Sequence, residues 1–207
     1  MLKKIIILTL LLNTLLSAQT KEKSFLVGVD IKYTKIDTVY ETSGEFAYPR
    51  FVDGATQNIP AIKLGYQYYF TRIYLQYSKI NENYEFYSIR SKFFDLNFEY
   101  IPVIYERSNY KVRGIFGVSI GLNYTRMYDL KRELLNQHKV ALLEDYRQNH
   151  PMYGFQLGAV YELDFGLSVD LGLRIRKGDF TQMKEETQEM AIRTDRKEYY
   201  LGFNYLF

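Results

Sequence analysis

His138 and His150 are the only imidazoles in this chain, and it holds no cysteine. Acid–base chemistry near neutral pH would therefore have to pass through one of two side chains. His138 lies in a polar, charged stretch that reads as solvated, and His150 is followed by Pro151-Met152 rather than by a hydroxyl nucleophile. Without cysteine there is no disulfide, no thiolate metal site and no lipid-modified N-terminal cysteine. No catalytic, cofactor-binding or metal-ligating residue is assigned on this pattern. A second set of side chains is better placed. Lys63, Asp95, Glu99, Arg113, Glu162, Asp170, Arg174 and Arg176 fall at every second position, opposite an apolar face. Charges away from water are costly when isolated, so residues of both signs in such positions are expected to pair across neighbouring elements as a polar network.

The elements that must position them follow from apolar residues at period two, which predict eight strands. The first puts Phe25, Val27, Val29, Ile31 and Tyr33 on one face and Leu26, Gly28, Asp30 and Lys32 on the other. The second sets Ile62, Leu64, Tyr66, Tyr68 and Phe70 against Lys63, Gly65 and Gln67; the third sets Ile73, Leu75 and Tyr77 against Gln76 and Ser78. The fourth sets Phe94, Leu96, Phe98 and Tyr100 against Asp95, Asn97 and Glu99. The fifth sets Val112, Phe116, Val118, Ile120, Leu122 and Tyr124 against Arg113, Gly117, Ser119, Gly121 and Asn123. The sixth sets Tyr153, Phe155, Leu157, Ala159, Tyr161 and Leu163 against Gly154, Gln156, Gly158 and Glu162. The seventh sets Leu167, Val169, Leu171, Leu173 and Ile175 against Ser168, Asp170, Gly172, Arg174 and Arg176. The last sets Tyr199, Leu201, Phe203, Tyr205 and Phe207 against Tyr200, Gly202 and Asn204.

Connections alternate in length. Tight turns are expected around Thr71-Arg72, at 106–109 and at 164–166, and long polar loops at 39–58, 81–90, 126–151 and 178–195. Short turns on one side and long loops on the other are the arrangement of an outer-membrane barrel. A turn centred near Glu106 would place Glu99 opposite Arg113. The third long loop either forms a helix over 130–147, with Leu130, Leu134, Leu135, Ala141, Leu142 and Tyr146 on one side, or continues as an extended hairpin.

Both ends of the chain agree with export. Lys3 and Lys4 precede a nearly all-apolar run over 5–16 and then Ser17-Ala18, the form of a cleaved signal peptide and too short for a spanning helix. Residues 1–18 are read as signal peptide, with the cut placed to within a residue or two, and 19–207 as one barrel domain. The chain has 27 basic and 24 acidic side chains, and with Lys3 and Lys4 removed the mature protein is nearly neutral, so a nucleic-acid partner gets no support. The 21 tyrosines suit membrane interfaces. Tyr33, Tyr77, Tyr124, Tyr153 and Tyr199 are expected in an outer girdle, and Phe70, Tyr100, Tyr161, Tyr205 and Phe207 in a periplasmic one.

This pattern resembles the small eight-stranded outer-membrane barrels of the OmpA/OmpX type over the whole mature chain. The resemblance implies an all-β, antiparallel up-and-down transmembrane barrel in the outer membrane of a Gram-negative-type bacterium, with loops extracellular and both termini periplasmic. It also implies a C-terminal signal for the barrel assembly machinery, whose positions are occupied here by Tyr200, Gly202, Tyr205 and Phe207. An eight-stranded barrel is just wide enough to be filled by side chains, so the leading expectation is a non-enzymatic structural or surface-interaction protein. Its expected partners are outer-membrane lipid, lipopolysaccharide and an extracellular ligand of unidentified nature. Loop residues Tyr40, Phe46, Tyr48, Arg50 and Phe51 are candidate contacts. The clusters Lys184-Glu185-Glu186 and Arg193-Thr194-Asp195-Arg196 are read as solvated ends near lipopolysaccharide head groups. A narrow or gated ion path is the first alternative. A lipid A-modifying enzyme is the second, although His150 lacks the histidine-x-serine pattern of the deacylases. A soluble, lipocalin-like barrel is disfavoured because its apolar side chains would face inward.

Overall fold

The computed structural model describes residues 23–44, 51–83, 88–128, 147–178, 181–185 and 188–207. These form β1 (Lys23–Gly44), β2 (Phe51–Tyr68), β3 (Thr71–Asn83), β4 (Ser88–Tyr100), β5 (Val103–Arg107), β6 (Tyr110–Tyr128), β7 (Arg147–Leu163), β8 (Leu167–Gly178), β9 (Thr181–Glu185) and β10 (Gln188–Leu206). β5 continues β4 along β6, and β9 continues β8 along β10, so the segments make eight staves joined antiparallel in chain order. β1 pairs with β10 and closes the sheet. The predicted signal peptide, His138 and nearly all of the 130–147 stretch lie outside the described residues.

Closure is staggered. Paired residues followed round the sheet from Leu26 run through Gly65, Tyr74, Asn97, Ser119, Gly154, Arg176 and Arg196, and re-enter β1 at Ile36 rather than at Leu26. Strands in a closed barrel must tilt, and this offset is the tilt read along the ladder. The seam is paired from Leu26↔Leu206 to Gly44↔Gln188. The Phe207 amide donates to the Phe25 carbonyl at 2.9 Å, which ties the last residue into the sheet.

The alternation sorts as expected. Val29, Ile31, Leu64, Leu75, Val118, Ile120, Leu157 and Leu171 are exposed on the outside, while Asp30, Lys32, Lys63, Asp95 and Glu99 are buried within. This is inside out for a domain in water. It is the arrangement lipid requires: an apolar belt outside, a polar interior, and backbone groups satisfied by the closed ladder.

Three local expectations are corrected. The first turn is Tyr69-Phe70, with Tyr68 paired to Thr71, so Arg72 belongs to a strand. Tyr69 has φ 49°, at a position where two-residue hairpins favour the left-handed region. The second turn, Ser108-Asn109, lies within the expected 106–109 but is centred beyond Glu106. Pro102 cannot donate to the ladder, so the stave breaks at Ile101-Pro102 and resumes as β5 with a register shift between Val103 and Tyr105. Glu99 therefore faces Gly117, and Arg113 faces Val103. The third turn, Asp164-Phe165-Gly166, lies where expected, with Gly166 at φ 91°. Finally, much of the expected loop sequence is strand. β1 and β2 stay paired out to Tyr40↔Phe51, and β10 begins at Gln188.

Candidate functional site in the barrel lumen

Among the described residues, inward side chains form buried apolar clusters and a charged network. Toward the long hairpins, Ile36, Ile59, Ile80, Phe93 and Met152 pack together. Toward the short turns, Ile101, Ile115 and Val160 form another cluster, and Leu26 and Leu206 meet Tyr74. The charged network runs through the middle of the lumen and past these clusters. Lys63 Nζ is 2.7 Å from Asp30 Oδ1 and 3.1 Å from Asp170 Oδ2. Arg72 Nη1 donates to Asp170 Oδ2 at 2.9 Å and to Glu99 Oε2 at 3.3 Å. Glu99 Oε1 also accepts from the Tyr74 hydroxyl and from Gln156 Nε2, each at 2.7 Å. Arg174 reaches Gln156 Oε1 at 2.5 Å and Gln76 Oε1 at 2.8 Å. Higher in the lumen Arg176 pairs with Asp95, and Arg196 pairs with Glu198 and lies 3.8 Å from the centroid of the Phe93 ring.

All eight of the charges expected in the lumen point inward, and they fall into two groups. Lys63, Asp95, Glu99, Asp170, Arg174 and Arg176 lie in the central band. Arg113 and Glu162 pair at 2.8 Å near the short-turn rim, where Arg113 also donates to the Tyr69 carbonyl at 3.3 Å, and Gln67 links them to the central band by donating to Glu162 Oε2 at 3.3 Å and accepting from Arg72. Glycines make room for this packing. A Cβ added at Gly202 would collide with Asp30 and Lys63, one at Gly121 with the Asp95 carboxylate, and one at Gly117 with Gln156.

Sequence reading missed several members of the network. Asp30 and Lys32 were on the expected inward face but outside the assigned set. Arg72 was hidden by the misplaced turn. Arg196 and Glu198 lay at the edge of an expected loop. Arg196 is fully buried, which corrects its reading as a solvated charge; Arg193 and Asp195 of the same cluster pair at 3.3 Å on the outer surface. In the C-terminal pattern, Tyr200 is buried beneath Arg174 at 4.6 Å, Gly202 faces the lumen, and Tyr205 and Phe207 meet edge to face at 5.0 Å.

The chemistry of this interior is mutual neutralisation. His150 points inward near the long-hairpin mouth, buried, with its Nε2 3.0 Å from Asn123 Nδ2. Asn123 Oδ1 accepts from Thr125 Oγ1, which lies 3.0 Å from Ser91 Oγ. The described residues contain no group of three or more His, Asp or Glu arranged to hold a metal ion. By contrast, the short turn at 108–109 is flanked by a solvent-facing pair, Glu106 and Lys111 at 2.8 Å, whose hydrogen bond holds the Glu106 carboxyl below its ordinary range.

No protein-family model matches this chain, and no curated protein matches it. Solved structures do. Neisserial surface protein A superposes with a TM-score of 0.56 at 17% identity, covering 88% of this chain and 97% of that one. Outer membrane protein AlkL, determined in lipid bilayers, gives 0.52 at 12% identity, covering 92% and 93%. OprG from Pseudomonas aeruginosa gives 0.50 at 14% identity, covering 87% and 95%. The chain has the fold of the small eight-stranded outer-membrane barrels.

Proposed function

We propose that this protein is an outer-membrane barrel with a sealed lumen that acts at the cell surface through its extended outer hairpins. The observation that carries this reading is the filling of the interior. A path for ions would have to displace a buried network whose cations are held by carboxylates, together with the apolar clusters packed against it. Interaction residues tend to lie on segments held out by a rigid scaffold, and here the scaffold itself is prolonged by β1, β2, β9 and β10. The reading is non-enzymatic, supported by a buried His150 that is hydrogen-bonded to an amide.

In this proposal residues 1–18 direct export, and Tyr200, Gly202, Tyr205 and Phe207 are read by the barrel assembly machinery. Both termini lie in the periplasm beside the short turns. A likeness to a protein named for the surface of Neisseria agrees with a surface role. Planar-bilayer recordings test the sealed lumen: neither the native protein nor an Arg113→Ala variant should give discrete conductance steps, and a reproducible unitary conductance would overturn it. Protease added to intact cells should cleave on the long-hairpin side of the barrel and spare the short turns at 69–70, 108–109 and 164–166; the opposite pattern would reverse the orientation.

A further inference from the structure

Inside the lumen the register sets two arginines side by side. Arg176 on β8 lies directly opposite Arg196 on β10, and both are buried. Side chains directly opposite on antiparallel strands are near neighbours, and like charges there are destabilising. Away from water the repulsion is stronger. Arg176 pairs with Asp95 through Nη1, and Arg196 meets Glu198 through Nη2. Arg176 Nε and Arg196 Nε and Nη1 are buried with no hydrogen-bond partner. The Thr34 hydroxyl, on β1 opposite Glu198, is likewise buried and without one. Buried donors of this kind are ordinarily satisfied by an internal water or an ion.

Charge decides between the two. Toward the long hairpins, the described side chains that face the lumen include four cations, Lys32, Arg174, Arg176 and Arg196, and two carboxylates, Asp95 and Glu198. Glu198 is shared by all four cations. Toward the short turns, Lys63 and Arg72 pair with Asp30, Glu99 and Asp170, and Arg113 pairs with Glu162. The described interior therefore holds seven cations and six carboxylates. The surplus is one positive charge, and it falls in the half that carries the unpartnered guanidinium N–H groups. Water would satisfy those groups and leave the charge in place. A monovalent anion answers both needs.

We propose that the lumen binds a small monovalent anion of the halide class, chloride in physiological salt, between Arg176 and Arg196. The free N–H groups of the two guanidiniums hold it, beside the Thr34 hydroxyl. The close spacing of one ladder rung favours a halide over a larger oxyanion, and a surplus of one favours a single charge. The ion is then part of the plug, taken up as the barrel closes.

The test refolds the protein from urea into phosphatidylcholine vesicles in sodium gluconate, with chloride replacing gluconate at constant ionic strength so that screening is held fixed. One ion bound by the folded state alone should multiply the folding constant about tenfold for each tenfold rise in chloride above its dissociation constant. Arg196→Gln removes the surplus charge and should lose this dependence, while Lys111→Gln at the short-turn rim should keep it. A general salt effect would act on both variants alike. Crystals of the native protein grown in bromide should show an anomalous scattering peak between the two guanidiniums, a readout that requires no variant to fold. A folding constant indifferent to chloride, an undiminished chloride slope in Arg196→Gln, or no bromide between Arg176 and Arg196 overturns the proposal. Indifference would assign the surplus to a proton lost from the interior instead. The conductance recordings above test whether the lumen is sealed and this titration tests what it holds, so each can fail without the other.

Discussion

Glu198 is the carboxylate on which the cations in the half of the lumen nearer the long hairpins converge. Arg196 pairs with it, and Arg174, Lys32 and Arg176 lie 3.5, 3.8 and 4.0 Å away. Removing one partner of a buried pair leaves an uncompensated charge, at a cost of about 3–5 kcal/mol. Glu198→Gln is therefore expected to lower stability by about that amount, measured as the urea midpoint of the barrel in vesicles. Glu106→Gln, in the exposed pair with Lys111, should leave the midpoint unchanged. A Glu198→Gln variant as stable as the native protein would show that the four cations do not depend on this carboxylate. At this scale legibility depended on neighbours. Lys63, Asp95 and Asp170 sit between clear apolar partners and could be assigned to the lumen from alternation. Arg72 could not, because a Tyr at φ 49° gives none of the glycine or asparagine signal by which such turns are recognised. The pairing of Glu99 with Arg72 rather than with Arg113 was lost with the same turn, since Arg72 faces Glu99 across the consecutive strands β3 and β4, and the break at Pro102 sets Arg113 opposite Val103 instead.

The eight staves were legible as elements where they cross the apolar belt, because lipid demands an apolar residue at every outward position. Beyond the belt that demand ends, and the pattern reverses. On β1 the outward positions become Lys35 and Asp37 while Ile36 turns in; on β3, Lys79 faces out and Ile80 turns in. A strand with polar residues outside and isolated aliphatics inside resembles a loop when only apolar outward faces are counted. For that reason 39–58 and 178–195 were expected as loops although much of each is paired strand. The physical consequence is measurable by hydrogen exchange. Amides over 34–44 and 188–198, paired from Thr34↔Glu198 to Gly44↔Gln188, should exchange slowly and as one unit with the membrane-level part of β1, since paired core strands open only with the larger cooperative unit. Exchange at loop-like rates from Lys35 onward would mean that the hairpins open independently of the barrel and present no fixed surface.

For the molecule as a whole, the decisive property is which side of the sheet meets which solvent. Leu64 and Leu75 are directly opposite one another across β2 and β3, 62% and 60% exposed, and they lie midway between the two aromatic girdles. A cation on the lipid face at bilayer mid-depth costs about 2–4 kcal/mol and becomes nearly free at the interface. Leu75→Arg is therefore expected to destabilise the barrel in phosphatidylcholine vesicles by about 2–4 kcal/mol, read from urea titration of the folded band. Lys79, four positions along the same strand, shows the complementary side of that depth rule by carrying its charge at the rim. For a barrel in water the same leucine would be an ordinary exposed side chain, and its replacement would fall within about 0.5 kcal/mol of neutral. The two architectures share an alternating sequence and a closed sheet, and this substitution separates them by sign and size. A neutral Leu75→Arg would displace the protein from the membrane, and with it the surface role. A loss of the expected size would tie the exposed leucines to lipid and leave the outer hairpins as the part of the molecule free to meet other partners.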